Sequence, residues 1–266
     1  MLAGGASTRP ALVTFDCTGT LFEPVARIGV LYKRAAVAEA WKASLARAVA
    51  AEALDEDALS AAFRSAFAEA DRERPCFGAG ACSSEDWWHP VVERTFAAAA
   101  AESAGCSEDA LRPLLPGAFR TLYHETFVSR AGWRLRPHAA DTLSALSAWR
   151  EARPASETDL KVGVAGVEKP SAELFARARG LAGVAADARC LHVGDSFSRD
   201  VVGAGWEALF VCSAEQRAAV GGEALAAVEH AHLESLARLP ALLSLGEQPE
   251  ARGGAHQPSA PVRAAS

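Results

Sequence analysis

The stretch Ala11-Leu-Val-Thr-Phe-Asp16-Cys-Thr18-Gly19-Thr20-Leu21-Phe22 constrains this chain more than any other. It is a short apolar run rich in β-formers, ending in an aspartate and a tight Thr-Gly-Thr turn. A run of this length closed by a turn signal reads as a buried strand. Leu12 to Phe15 can bury themselves, whereas Asp16 cannot leave water cheaply without a partner. A carboxylate just past the C-terminal end of a buried parallel strand stands where open α/β sheets bind ligands. Taken alone, Asp16 could equally be an aspartate that caps a turn.

Two further stretches weigh against that plain reading. Cys190-Leu-His-Val193 is another apolar run, followed by Gly194-Asp195-Ser196-Phe-Ser-Arg-Asp200. A second strand thus ends in an aspartate, and Asp200 follows in what reads as the first turn of a helix. Between the two strands lies Gly166-Val-Glu-Lys169-Pro170-Ser-Ala-Glu173-Leu-Phe175. Pro170 reads as a helix start, which places Lys169 at the N-terminal edge of that helix. Two strand-end carboxylates and a lysine suit one task, holding Mg2+ and a phosphoryl group together.

At these residues the chain resembles the haloacid dehalogenase (HAD) superfamily. Its first motif is matched by Asp16-Cys-Thr18-Gly19-Thr20, its lysine by Lys169 and its last motif by Gly194-Asp195 with Asp200, in the right order. The resemblance runs from about residue 11 to about residue 213. Within the superfamily it is similar to the eukaryotic HAD-like hydrolase domain-containing protein 3 group. Trp87-Trp88 with Val91, Leu122-Tyr123 with Phe127 and Trp133, and Gly166-Val-Glu-Lys-Pro support this.

The resemblance implies a doubly wound, parallel-sheet α/β core of Rossmann type with an inserted α-helical cap. It implies a catalytic set of Asp16, Thr18, Thr20 and Lys169, with Asp16 as a nucleophile that forms an aspartyl-phosphate. Mg2+ would be held by Asp16, the Thr18 carbonyl and Asp195. Asp200 and Ser196 would stand behind them, Asp200 orienting a metal-bound water or the lysine. The implied substrate is a small phosphorylated metabolite.

The chain departs from the pattern twice. Most HAD phosphatases carry an aspartate two residues after the nucleophile, which protonates the leaving group and later activates water; here Thr18 stands there. A strand ending in a phosphate-binding Ser or Thr, then a helix and a further strand, normally precede the lysine. Leu160-Lys-Val-Gly-Val-Ala165 reads as that strand, yet it runs straight into Gly166. Ser156 and Thr158 fall at its wrong end. Either the protein has lost this motif or the sequence skips an exon, and an exposed sheet edge would result. A catalytically impaired, HAD-fold binding or scaffold protein is therefore the competing function.

Composition narrows the classes. The 266 residues are 50% hydrophobic, enough for one large core or a core with an inserted domain. A net charge of −6 leaves no basic footprint for nucleic acid. No apolar run approaches a membrane span, and Met1 to Pro10 lacks the apolar core of a secretory signal. The 6 cysteines are scattered and read as reduced, mostly buried thiols of a cytoplasmic protein, with a Cys76–Cys82 disulfide as the alternative.

The organisation follows. Residues 1–22 and 133–245 are expected to form the core, 24–132 the helical cap and 246–266 a disordered tail. Helices are expected from about Ile28 to Ala53 and from Asp57 to Arg72, with start signals at Ser84 and Ser107. Trp41, Trp87, Trp88, Phe96, Phe119, Tyr123 and Trp133 read as core packing. Pro75 to Cys82 reads as a Gly-rich loop rather than a nucleotide cradle. A helix from Pro137 to Trp149, a helix from Glu173 to Leu181, a short one from Val201 to Gly205 and a strand from Ala208 to Val211 complete the α/β alternation.

Overall fold

In the computed structural model, which describes residues 10–148, 166–226 and 231–243, strands β1 (Leu12–Phe15), β4 (Cys190–Gly194), β5 (Glu207–Val211) and β6 (Ala231–Leu233) form one sheet. Its order is β1-β4-β5-β6 and every pairing is parallel. Val13 lies opposite Leu191, and Phe15 opposite Val193. The strands that lead into Asp16 and Asp195 are therefore neighbours.

Side chains alternate between the two faces of a strand, and both faces here are covered. Leu191, Val193, Leu209 and Val211 pack with Ala139, Leu236 and Leu239 on one face. Ala208 and Phe210 pack with Phe175, Val201 and Ala204 on the other. The helices behind those residues are Ala139–Ala148 and Ala172–Leu181. This two-sided cover makes the sheet a doubly wound α/β core.

A second, two-stranded sheet was not legible in the sequence. β2 (Phe22–Pro24) pairs antiparallel with β3 (Trp133–Leu135). Phe22 and Trp133 meet edge to face at 5.3 Å, while Glu23 receives Arg134 at 2.8 Å and Arg136 at 3.0 Å. The ribbon stands where the chain leaves the sheet region and where it returns.

Between its two strands the chain is helical: α1 (Ile28–Ala43), α2 (Leu45–Glu52), α3 (Glu56–Glu73), then Ser84–Glu102, Glu108–Leu111 and Leu115–Arg120. The expected single helix from Ile28 to Ala53 is two. Ser44 adopts extended backbone, ends α1 and caps α2 by accepting from the Arg47 N–H. These helices have their own core, including Tyr32, Leu54, Leu59, Phe96, Leu111 and Leu122. Each such side chain contributes about 1.5–3 kcal/mol relative to exposure. Trp87 is buried as expected, but Trp41 is 59% exposed and packs no core.

Other expectations shift by a residue or more. Ser83, not Ser84, caps its helix, and Ser107 caps the next. Pro170 precedes the cap residue Ser171, so the helix starts at Ala172. The short helix expected at Val201–Gly205 is a wide helical turn at Phe197–Val202. No cysteine forms a disulfide; Cys190 and Cys212 are buried, and Cys17 is exposed. Among the described residues no helix is long and apolar enough to cross a membrane. The expected strand at Leu160–Ala165, with Ser156 and Thr158, and the tail from residue 246 lie outside the described residues.

Candidate active site

The Asp16 N–H donates to the Val193 carbonyl at 2.8 Å, extending the β1–β4 ladder one residue past the strand. That bond pins Asp16 to the carboxyl lip of the sheet. The chain then turns tightly. Leu21 and Phe22 donate to the Cys17 carbonyl, and the Gly19 N–H donates to Phe22. Gly19 has φ +94°, and a Cβ there would fall 2.2 Å from Asp195 Oδ2. Glycine is thus required both by conformation and by the carboxylate opposite. Fully buried Thr20 donates to Asp195 Oδ1 at 3.3 Å.

Asp195 follows the last residue of β4. That residue, Gly194, is also forced: a Cβ on it would lie 2.3 Å from Asp200 Cγ. The Phe197–Val202 turn carries Asp200 back under the strand end, where only 1% of its side chain is exposed. Ser196 N–H donates to its Oδ2 at 2.9 Å, and Lys169 Nζ reaches its Oδ1 at 2.7 Å. The same Nζ pairs with Asp16 Oδ1, so one ammonium bridges the strand-end carboxylate of Asp16 and the turn carboxylate of Asp200. Oxygens of Asp16, Asp195 and Asp200 all come within 4.8 Å of one another.

The charges settle unequally. Burial, reinforced by Asp16 and Asp200, pushes the Asp195 carboxyl above its usual range. Burial also pushes Asp200 up, but hydrogen bonds from His192, Lys169 and the Ser196 N–H outweigh it and hold the group down to about 2. Burial depresses Lys169, and its hydrogen bonds to Asp16 and Asp200 carry it above the ordinary ammonium value. A cation therefore fits at Asp195 better than at Asp200, whose two oxygens already accept hydrogen bonds.

Of the residues singled out in the sequence, Asp16, Thr20, Lys169, Asp195 and Asp200 converge. Ser196 contributes through its backbone N–H. Thr18 is exposed and bridges to Phe22 within the turn; the contact from this turn to Asp195 comes from Thr20. Asp200 makes the lysine contact. Gly166 is exposed with φ +66°.

Sequence reasoning missed His192, read only as part of an apolar run. It is 4% exposed, and its Nε2 lies 3.3 Å from Asp200 Oδ1. Its one sequence signal is a histidine inside an otherwise apolar strand. The helical region also reaches this neighbourhood: a Cβ on Gly166 would lie 3.9 Å from that of Ala79, in the Pro75–Cys82 loop. Burial and Asp71 push the Glu168 carboxyl up, against a downward pull from Arg199. A cavity of about 380 Å³ lies elsewhere, between Cys212, Arg217, Leu225, His232 and Glu234, and none of the three aspartates lines it.

The chain is 16% identical to the HAD-hydrolase YfnB from Bacillus subtilis, solved bound to magnesium, over 89% of this chain and 99% of that one, with a TM-score of 0.46. A HAD phosphatase from Thermococcus onnurineus is 15% identical over 88% and 97%, with a TM-score of 0.43. A hydrolase from Pseudomonas syringae is 15% identical over the same shares, at 0.35. No curated protein matches the sequence. The family model for haloacid dehalogenase-like hydrolases matches residues 10–205, well over half the chain, a span that includes Asp16, Lys169, Asp195 and Asp200. The chain belongs to the haloacid dehalogenase-like hydrolase family.

Proposed function

We propose that this hydrolase is a Mg2+-dependent phosphatase acting on a small phosphorylated metabolite through an aspartyl-phosphate on Asp16. The observation that carries the reading is Lys169 Nζ bridging Asp16 and Asp200 beside a desolvated Asp195. Mg2+ would be held by Asp16, the Thr18 carbonyl and Asp195. It would supply charge neutralisation at the phosphoryl oxygens.

The chain's own residues do the rest. Lys169 draws the phosphate dianion toward Asp16 and offsets their mutual repulsion. An Asp16 oxygen attacks phosphorus, and the bond from phosphorus to the substrate oxygen breaks. The departing oxygen keeps the electron pair and takes its proton from water. A second water attacks the same phosphorus, the bond to Asp16 breaks, and phosphate leaves with the carboxylate restored. Asp200 stays with Lys169 and holds it in place. Thr20 holds Asp195.

Thr18 cannot deprotonate the second water. General acid–base groups contribute roughly 10²–10⁴-fold, so turnover is slow and limited at hydrolysis of the intermediate. The helical region at 24–132 acts as a cap that sets substrate choice, with the β2–β3 ribbon at its root. The approach of Ala79 to Gly166 supports this role. The protein acts in the cytoplasm, where cysteines outside disulfides, such as buried Cys190 and Cys212, persist.

The test is hydrolysis of p-nitrophenyl phosphate with and without Mg2+, using Asp16→Asn as control. Slow, Mg2+-dependent turnover lost in the variant supports the reading. Turnover equal in both proteins contradicts it, and no turnover with no acyl-phosphate favours a non-catalytic binding protein.

A further inference from the structure

We propose that His192 is a positioning residue for this site: it donates from Nε2 to Asp200, takes a hydrogen bond from Thr14 at Nδ1, and so holds Lys169 against Asp16. The inference rests on the phosphatase reading only for its kinetic arm.

The geometry is a continuous chain. Thr14 on β1 lies directly opposite His192 on β4 in the parallel ladder. Thr14 Oγ1 is 2.8 Å from His192 Nδ1, and His192 Nε2 is 3.3 Å from Asp200 Oδ1. That Oδ1 also accepts from Lys169, which pairs with Asp16. Phe175 closes over the imidazole edge to face at 5.0 Å. Nothing in this chain is open to bulk water at its centre, since His192 is 4% exposed and Asp200 1%.

The direction of each bond follows from donor and acceptor counts. Asp200 accepts from the Lys169 ammonium and from the Ser196 N–H. Against the upward push of burial, these bonds hold its carboxyl below the usual range, so it is an ionised, acceptor-only carboxylate. His192 Nε2 must therefore carry the hydrogen that faces it. In a neutral ring Nδ1 is then an acceptor, and the Thr14 hydroxyl is its donor. The competing acceptor for that hydroxyl, the Leu191 carbonyl, lies at 3.5 Å and is the weaker partner.

A buried histidine satisfied at both nitrogens is ordinarily a packing residue. What distinguishes this one is the atom it shares with the lysine. Ser196 fixes Oδ2 and His192 fixes Oδ1, so Asp200 is held by a strand and a turn and cannot rotate. Lys169 has four rotatable bonds, and Asp200 is what keeps its ammonium at Asp16. Loss of the histidine donor frees Asp200 to turn, and the lysine with it.

The test compares His192→Gln with His192→Leu. Glutamine keeps an acceptor for Thr14 and a donor for Asp200, whereas leucine keeps only bulk. The primary readout needs no activity: the ¹H–¹⁵N resonance of the Lys169 ammonium, which two carboxylates should protect from exchange. Expected are a protected signal in wild type and His192→Gln, its loss in His192→Leu, and an Nε2–H tautomer in wild type by long-range ¹⁵N spectra. Phosphorylation of Asp16 should fall on the order of tenfold in the leucine variant and recover in the glutamine variant. Equal Lys169 signals in folded His192→Leu and wild type would overturn the proposal, as would an Nδ1–H or doubly protonated ring. If wild type shows the protected signal but never phosphorylates, the phosphatase reading fails and the positioning role stands. If His192→Leu does not fold, Thr14→Val serves in its place: a changed His192 tautomer supports the proposal, and an unchanged one overturns it.

Discussion

Gly19 and Asp195 compete for one space: a Cβ on the glycine would lie 2.2 Å from Asp195 Oδ2. The turn after β1 is thereby built around a carboxylate that arrives from β4. Gly19→Ala would displace Asp195 and strain a residue at φ +94°. We expect a loss of about 1–3 kcal/mol of stability by denaturant titration. Stabilisation by Mg2+ should disappear in the same variant.

Asp195→Asn should separate the electrostatic cost of the site from its use. The carboxyl is pushed up by burial, Asp16 and Asp200. An uncharged amide relieves that repulsion, so the metal-free variant should melt higher than wild type. Added Mg2+ at 100 times its Kd should stabilise wild type by about 2.7 kcal/mol and the variant not at all. Thermal melts with and without Mg2+ decide this.

Mg2+ affinity should depend on pH. A proton and the cation compete for Asp195, whose folded-state pKa is raised. Affinity should therefore weaken as pH falls, starting above the normal aspartate range. Calorimetric titrations across mildly acidic pH should show the decline. A flat profile there would argue against Asp195 as a ligand.

Acid stability has the opposite sign at Asp200. Its folded-state pKa, about 2, lies below the unfolded value. Its contribution is thus present above the unfolded pKa of about 3.9 and is lost as pH falls through the folded one. The amount is on the order of 2 kcal/mol. Asp200→Asn should lose that acid limb, seen as a flatter stability curve between about pH 4 and pH 2.

Much of the site was legible because its parts are local. An apolar run ending in Asp16, and another ending in Asp195 with Asp200 close behind, are short-range signals, and parallel pairing brings them together. What escaped was non-local or shorter than a pattern. β2 and β3 are three-residue strands that meet across a long helical insertion, so periodicity has nothing to register. Ser44 breaks a helix through its own backbone, within a run of good helix formers. His192 earns its role from Thr14 on a distant strand and Asp200 beyond a turn, neither of which a linear reading pairs with it.

Thr18→Asp would restore the acid–base group that this turn lacks. Turnover of an aryl phosphate should rise within the roughly 10²–10⁴-fold range of such groups, provided Asp195 keeps its Thr20 contact. Steady-state kcat is the readout. No gain would place the limit before hydrolysis of the intermediate.

The central claim is that Asp16 takes up phosphate. Acid-quench trapping with labelled acetyl phosphate, followed by peptide mapping, measures it directly. The account predicts Mg2+-dependent label on Asp16, persistent in wild type, shorter-lived in Thr18→Asp and missing in Asp16→Asn. Folded wild type that acquires no label with Mg2+ present, or acquires it equally in Asp16→Asn, would contradict the account.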